Sequence, residues 1–290
     1  MIVVKLQGGL GNQMFQYALG KAMAKIHHSR FALDLDFLLD RTPDKGLGFV
    51  FRDYDLDVFS MCPSIAKTGQ ETKYRHPTFF HQLTSGFTKR TIYKESFFQF
   101  DQQVLTMKPN VYLDGYWQSP RYFESVEKEL RADFTFTHPI EKNSQELYRK
   151  ILSTDSICVN VRRADFLINS FHGVCGMNYF EPAIDYLISQ LKNPQVFIFS
   201  DDPTWCKENF RLNISTEVID HTHKGFKFSN QLQLMAACKH FVIPNSTFAW
   251  WAVWLSNKKN SKVIAPKKWF SDDSIDTRDL IPSHWMRFDN

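Results

Sequence analysis

No apolar run in this sequence approaches the roughly 20 residues that a bilayer span demands, and no leader with a charged start and an apolar middle precedes the first strand at Ile2. The chain is therefore expected to be cytoplasmic. Cysteine is sparse: Cys62, Cys158, Cys175, Cys206 and Cys238 are odd in number, far apart and without a C-x-x-C pair. That excludes a disulfide framework and predicts reduced thiols. Metal-ligand spacing is missing too, because His172-Gly173-Val174-Cys175 and His221-Thr222-His223 have no second ligand pair at finger-like distance; zinc is not expected. Charge of one sign is lacking as well. A net charge of +4, with Lys and Arg scattered and not gathered in one arm, disfavours nucleic acid as a partner. A few of those cations suit a diphosphate or an anionic membrane face. The first glycine turn does not read G-x-G-x-x-G, which weakens a nicotinamide-dependent oxidoreductase built on the same kind of sheet.

What is present describes a folded α/β chain. Apolar residues at 43% and charged residues at 23% are those of a globular protein. With 290 residues the chain is long for one core, so two domains of roughly 100 to 200 residues each are expected. The proline-bearing polar stretch between Thr135 and Lys150 is the natural link, which sets the domains at 1–140 and 141–290. Aromatics at 15% suit stacking on sugar faces and ordinary cores equally, so they decide nothing.

The chain is organised around its opening. Ile2-Val3-Val4-Lys5-Leu6 reads as a buried strand that stops at Gly8-Gly9-Leu10-Gly11-Asn12-Gln13. Met14, Phe15, Tyr17, Ala18, Ala22, Met23 and Ile26 then recur at helical spacing. Such a turn offers backbone N–H groups at the positive end of a helix, with Gly9 and Gly11 admitting a ligand and Asn12 and Gln13 adding amides. A purely structural turn would use the same glycines. Phe31–Leu35 is a second strand, giving β-α-β and a parallel sheet. Between Asp40 and about Lys94 the pattern loosens: Thr42–Gly46 and Gly48-Phe49 are turn-rich, and the basic, aromatic stretch from Lys73 to Lys94 has no clean period. Val111–Ser119 is a strand running into a polar, aromatic loop, and Arg121–Phe134 is a helix with Ser119-Pro120 as cap and first turn. Beyond the link, strands are expected at 156–161, 196–200, 216–219, 240–243 and 262–265, alternating with helices at 179–191, 202–209, 229–238 and 245–255. That alternation predicts a doubly wound parallel sheet with ligands at the carboxyl ends of its strands.

The polar motifs fall at those ends. Asn160-Val161-Arg162-Arg163-Ala164-Asp165 places two guanidiniums past an apolar strand, where each needs an anionic partner. A nucleotide diphosphate suits the planar fork of arginine; an Arg163–Asp165 salt bridge would serve equally. Ser200-Asp201-Asp202-Pro203 suggests a metal at first sight. Adjacent aspartates on an extended chain point to opposite faces, however, and Asp202 before Pro203 is a helix cap, so cap plus nucleotide contact is the better reading. Asn245-Ser246-Thr247 opens a helix and can cap it or bind phosphate, with Trp250, Trp251 and Trp254 behind it as core.

Four strings, Gly-Gly-Leu-Gly-Asn-Gln-Met-Phe-Gln-Tyr-Ala, Gly-Tyr-Trp-Gln-Ser, Arg-Arg-x-Asp and Asn-Ser-Thr-Phe-Ala-Trp-Trp, together resemble the bacterial and animal alpha-1,2-fucosyltransferases of glycosyltransferase family 11, in the right order over nearly the whole chain. The resemblance implies a GT-B-like fold, two Rossmann-type doubly wound domains facing a cleft, with an acceptor-side first domain and a second that binds GDP-fucose. It implies an inverting transfer of fucose from GDP-β-L-fucose to the 2-hydroxyl of a terminal galactose in a free or lipid-linked glycan, as in O-antigen biosynthesis. No metal or other cofactor is required, and the site is cytoplasmic or at the inner face of the membrane. Animal relatives carry a membrane anchor. Arg162 is implied on the GDP diphosphate, with Arg163 and Asp165 shaping the site, Ser200, Asp201 and Asp202 near nucleotide or ribose, and Asn12 and Gln13 near fucose and the β-phosphate. Tyr116, Trp117 and Gln118 would lie over the galactose ring, or be core. Asn160 stands where the resembled family has His, and an amide is neither cation nor base near neutral pH. That departure keeps a second class open, a nucleotide-sugar or glycan-binding protein with little turnover. The general base is unassigned, with Asp165 ranked ahead of His172.

Overall fold

The computed structural model describes residues 1–42, 49–75, 90–168, 173–272 and 274–290. The expected turns at 43–46 and Gly48, and most of the stretch from Lys73 to Lys94, lie outside them, as does His172. The chain divides into two units, Met1–Thr135 with Asp276–Pro282, and Phe136–Ile275 with Ser283–Asn290.

In the first unit β-branched and aromatic residues form four short strands, β1 (Ile2–Lys5), β2 (Phe31–Asp34), β3 (Thr91–Lys94) and β4 (Val111–Asp114). All pair in parallel in the order β2-β1-β4-β3. β3 falls within the stretch read as irregular. The crossover from β1 to β2 is α1 (Leu10–Ile26), which buries Met14, Phe15, Ala18, Leu19, Ala22 and Met23 completely. Each large side chain among them contributes about 1.5–3 kcal/mol by leaving water. Gly20 lets α1 approach the sheet, since a Cβ there would lie 2.6 Å from the Phe31 ring. The helix expected over 121–134 is two single turns, Pro120–Tyr122 and Glu124–Val126, followed by a helix over Glu127–Asp133. The cap survives, for Ser119 accepts from the Arg121 N–H and Pro120 occupies the first turn.

The second unit carries β5 (Asp155–Val161), β6 (Pro194–Ser200), β7 (Thr216–Ile219), β8 (His240–Val242), β9 (Val263–Pro266) and β10 (Met286–Phe288). They pair in parallel in the order β10-β9-β8-β5-β6-β7. Counted from β5, this is the 3-2-1-4-5-6 order of dinucleotide-binding sheets, and its direction reverses between β5 and β8. α2 (Gln145–Ser153) precedes β5, and α3 (Met177–Ser189), α4 (Pro203–Asn209), α5 (Ser229–Ala237) and α6 (Thr247–Ser256) follow β5, β6, β7 and β8. α2 begins inside the stretch read as a link and is folded because Leu147 and Ile151, four residues apart, are buried. The core sets Ile157, Val159 and Val161 of β5 against Tyr179, Phe180, Ala183, Ile184 and Leu187 of α3. Trp250 and Trp251 are core, as expected, with Trp285 5.8 Å from Trp250.

Candidate active site

The carboxyl ends of β5 and β8 flank the reversal of the second sheet, which is where an open parallel sheet binds ligands. β5 ends at Val161, so Arg162 and Arg163 emerge there. Asp201, just past neighbouring β6, gathers the turn. Its carboxylate accepts the backbone N–H of Arg163 at 2.9 Å and of Ala164 at 3.2 Å, and lies 3.1 Å from the Arg162 guanidinium. Asp202 caps α4 by accepting from the Trp205 N–H at 3.0 Å and forms a 3.6 Å ion pair with Arg163. The Arg163 guanidinium lies 3.9 Å over the Trp205 ring, a stacking contact that no motif signalled. Its Nε is buried with no hydrogen-bond partner among the described residues. Ser200 accepts from the Asp202 N–H at 2.9 Å, and His221 donates to the Ser200 carbonyl at 3.2 Å. Thus Arg162, Arg163, Ser200, Asp201 and Asp202 are brought together, and Trp205 and His221 are additions to the expected set.

Two other expected ligands, Asn160 and Asn245, also bond within the fold. The Asn160 amide is buried and donates to the Phe199 carbonyl at 3.1 Å, bridging β5 to β6. Asn245 is buried after β8; its amide donates to the Trp269 carbonyl at 2.9 Å, and its oxygen accepts weakly from the Cys175 thiol. Burial pushes that thiol up to about 12, so it is not a nucleophile near neutral pH. Ser246 is the N-cap of α6 without a side-chain capping bond, and Thr247 opens the helix. Of Asp165 only the backbone is described; its side chain lies outside the described residues, as does all of His172. Among the described residues no cluster of three His, Cys, Asp or Glu side chains is placed to hold a metal ion.

In the first sheet β1 and β4 are parallel neighbours, so the turns that follow them lie side by side. Gly8 has φ +78°, and a Cβ on it would lie 2.3 Å from the Asn12 Nδ2, so the turn after β1 needs glycine. Gly9 is the N-cap of α1, which places Gly11, Asn12 and Gln13 in the first helical turn. Gln13 is fully buried: its amide donates to the Gly8 and Asp53 carbonyls and accepts from the Asp55 N–H. It therefore clamps the 53–55 segment. The half-buried Asn12 accepts at 2.9 Å from Gln118 of the loop after β4. Gln16, a member of the glycine string with no role expected of it, ties Gln7 to the Gly115 carbonyl. In that loop Trp117 is fully buried in the left-handed conformation, φ 58°, so it is core and no sugar platform. Glu95, just past β3, accepts the backbone N–H of Tyr116 at 2.6 Å and of Trp117 at 2.9 Å. Burial pushes its carboxyl up to about 7, against those two hydrogen bonds, which lower it.

A model of glycosyl transferase family 11 matches residues 66–288. Over 100% of this chain and 99% of the relative, the sequence is 32% identical to the alpha-1,2-colitosyltransferase of Escherichia coli. It is 28% identical to the O-antigen biosynthesis glycosyltransferase WbnK of the same species, over 93% of this chain and 95% of that one. Among solved structures, a mutant FUT1 of Arabidopsis thaliana in complex with GDP superposes with a TM-score of 0.52 at 12% identity, covering 99% of this chain and 76% of that chain. The two parallel α/β units are of the GT-B fold.

Proposed function

This chain belongs to glycosyl transferase family 11, and from that membership we propose that it is an inverting, metal-independent galactoside alpha-1,2-L-fucosyltransferase. The transferase class is common ground with its relatives; the donor GDP-β-L-fucose, the inversion and the galactose 2-hydroxyl as acceptor are the specific content of the proposal. The observation that carries it is Arg162 at the reversal of a 3-2-1-4-5-6 sheet, held by Asp201 at 3.1 Å. A guanidinium carries five N–H donors in a planar fork, the geometry that meets a diphosphate in pairs. As the bond to the anomeric carbon breaks, charge grows on the departing phosphate, and a prepositioned cation stabilises that charge more than it does the ground state. The N-terminus of α6, next along the sheet after β8, adds its dipole. Asp201 and Asp202 are engaged by N–H groups and guanidiniums, which supports a reaction that proceeds without a divalent ion.

A second donor has a specific observation in its favour: the 32% identical relative is named for colitosyl transfer. Colitose is L-fucose without its 3-hydroxyl, and a site that hydrogen-bonds a hydroxyl rejects the analogue lacking it by large factors. Turnover of GDP-fucose, GDP-colitose, GDP-mannose and UDP-galactose onto lactose in EDTA separates the readings, with the product anomer read by NMR. Expected is alpha-linked fucosyl product from GDP-fucose, and a loss on the order of 10²–10³-fold in kcat for Arg162→Ala. Preference for the colitose donor would replace fucose with colitose; an undiminished Arg162→Ala would remove the role given to that residue.

A further inference from the structure

Two guanidiniums emerge side by side after β5, and like charges so close repel unless each is held by partners of its own. The structure gives them different ones. Arg162 lies 3.1 Å from the Asp201 carboxylate, with 29% of its side chain exposed. Arg163 is only 16% exposed, and its Nε stands 3.6 Å from Asp202, too far for a hydrogen bond. Its guanidinium lies instead 3.9 Å over the indole of Trp205. A buried cation is costly unless it is compensated, and an aromatic face is one such compensation.

Trp205 is itself firmly placed. Its backbone N–H donates to Asp202 at 3.0 Å, and its carbonyl accepts from the Asn209 amide at 2.8 Å. Its ring sits edge-on to Phe210, with centroids 6.0 Å apart at 87°, and packs against the core of the second unit. Trp205 therefore reaches the arginine-bearing turn by two routes, through Asp202 from its backbone and through Arg163 from its ring. The same turn hangs on Asp201, which accepts the backbone N–H groups of Arg163 and Ala164 and faces Arg162 as well. Where Arg163 is held thus fixes where its neighbour points.

We infer that Trp205 is a positioning residue of the transfer: its indole face holds Arg163, and Arg163 holds the turn that aims Arg162. This rests on the diphosphate role proposed above for Arg162. Without the ring, the Arg163 guanidinium is drawn toward Asp201 and Asp202, where it competes with Arg162 for the carboxylate that steadies it. A misplacement of about 1 Å in such a group costs on the order of 10²-fold in rate. A tryptophan kept only to fill space beside Phe210 would need bulk and no π face, and an arginine kept only for Asp202 would approach it within a hydrogen bond.

A double-mutant cycle, read in kcat and in GDP affinity with melting temperatures alongside, separates these readings. Trp205→Leu keeps apolar bulk and removes the face; expected are a kcat lower by about 10- to 10²-fold and weaker binding of GDP. Trp205→Phe restores a face and should lie within about threefold of the wild type. In an Arg162→Ala background, Trp205→Leu should change neither quantity by more than about twofold, because the group it aims is gone. Arg163→Lys keeps the charge and leaves Trp205 packed on Phe210, but loses the planar stack. It should show the same loss as Trp205→Leu, whether or not the leucine variant folds.

Four outcomes overturn the inference while the transferase reading stands. They are an undiminished Trp205→Leu, a Trp205→Phe as impaired as Trp205→Leu, an Arg163→Lys at wild-type kcat, or an equal loss from Trp205→Leu with and without Arg162. The last would mean that Trp205 supports the fold at large or acts through Arg163 alone. The GDP-affinity arm reads the coupling even where nothing is turned over, so a wild type that binds GDP but transfers no sugar overturns the transferase reading alone. A wild type that binds no GDP overturns both.

Discussion

Asp201 and Glu95 are both carboxylates that accept two backbone N–H bonds, yet only Asp201 also faces a guanidinium. For Glu95 burial outweighs its hydrogen bonds and the carboxyl rises from its ordinary 4.5 to about 7. The consequence for stability has a definite sign. Between those two values the folded chain binds more protons at this group than the unfolded chain does, so this group's contribution to stability falls as pH rises and levels off above about 7. Melting temperatures of the wild type and Glu95→Gln, measured from pH 5 to 8, should therefore diverge, with the wild type losing ground as pH increases. Parallel curves would mean that the carboxyl titrates normally. Glu95 was not legible in the sequence because its partners are two backbone N–H groups 21 and 22 residues away, and backbone groups leave no motif. For the same reason Asn160, Asn245 and Gln13 read as ligands while their amides serve carbonyls of distant segments.

Elements were more legible than partners. The β5 to β9 strands and helices α3 to α6 lie within a residue or two of the places that alternation and capping predict, because apolar runs ending in Gly, Pro or capping residues are local signals. β3 and β10 escaped because each is a short, half-buried edge strand, Thr-Ile-Tyr-Lys and Met-Arg-Phe, with little apolar contrast. The loop after β4 was legible as polar and aromatic, but its connection to the turn after β1 was not. That connection runs through Gln16, whose amide donates to the Gly115 carbonyl and to Gln7 while its oxygen accepts from the Gln7 N–H. Gln16→Leu fills similar space but leaves the Gly115 carbonyl buried without its donor, which costs about 1–3 kcal/mol. Urea unfolding should show that loss as a lower midpoint with unchanged slope. A midpoint equal to that of the wild type would show that the bridge is incidental.

At the scale of the whole chain the sheet orders are the decisive result, since they place the Arg162 and Asn245 turns beside one another in one unit and the Gly8 and Gly115 turns beside one another in the other. A linear reading reaches two α/β domains but not the return of Asp276–Pro282 to the first of them. That return depends on Asp279. Its carboxylate accepts from the Phe100 N–H at 3.0 Å and pairs with Arg121 at 2.8 Å, and its carbonyl accepts from Ser119 at 2.8 Å. The Arg121 side chain is half exposed, so the ion pair itself is worth little. The cost of Asp279→Ala lies in the half-buried Phe100 N–H that it strands, about 1–3 kcal/mol. Amides of β1 and β4 should then exchange with solvent roughly 5- to 100-fold faster, while those of β5, β6 and β8 keep their wild-type rates and their slowing by added GDP. Exchange accelerated in β5 and β8 as strongly as in β1 and β4 would show that the segment stabilises the second unit as well, and would refute its assignment to the first.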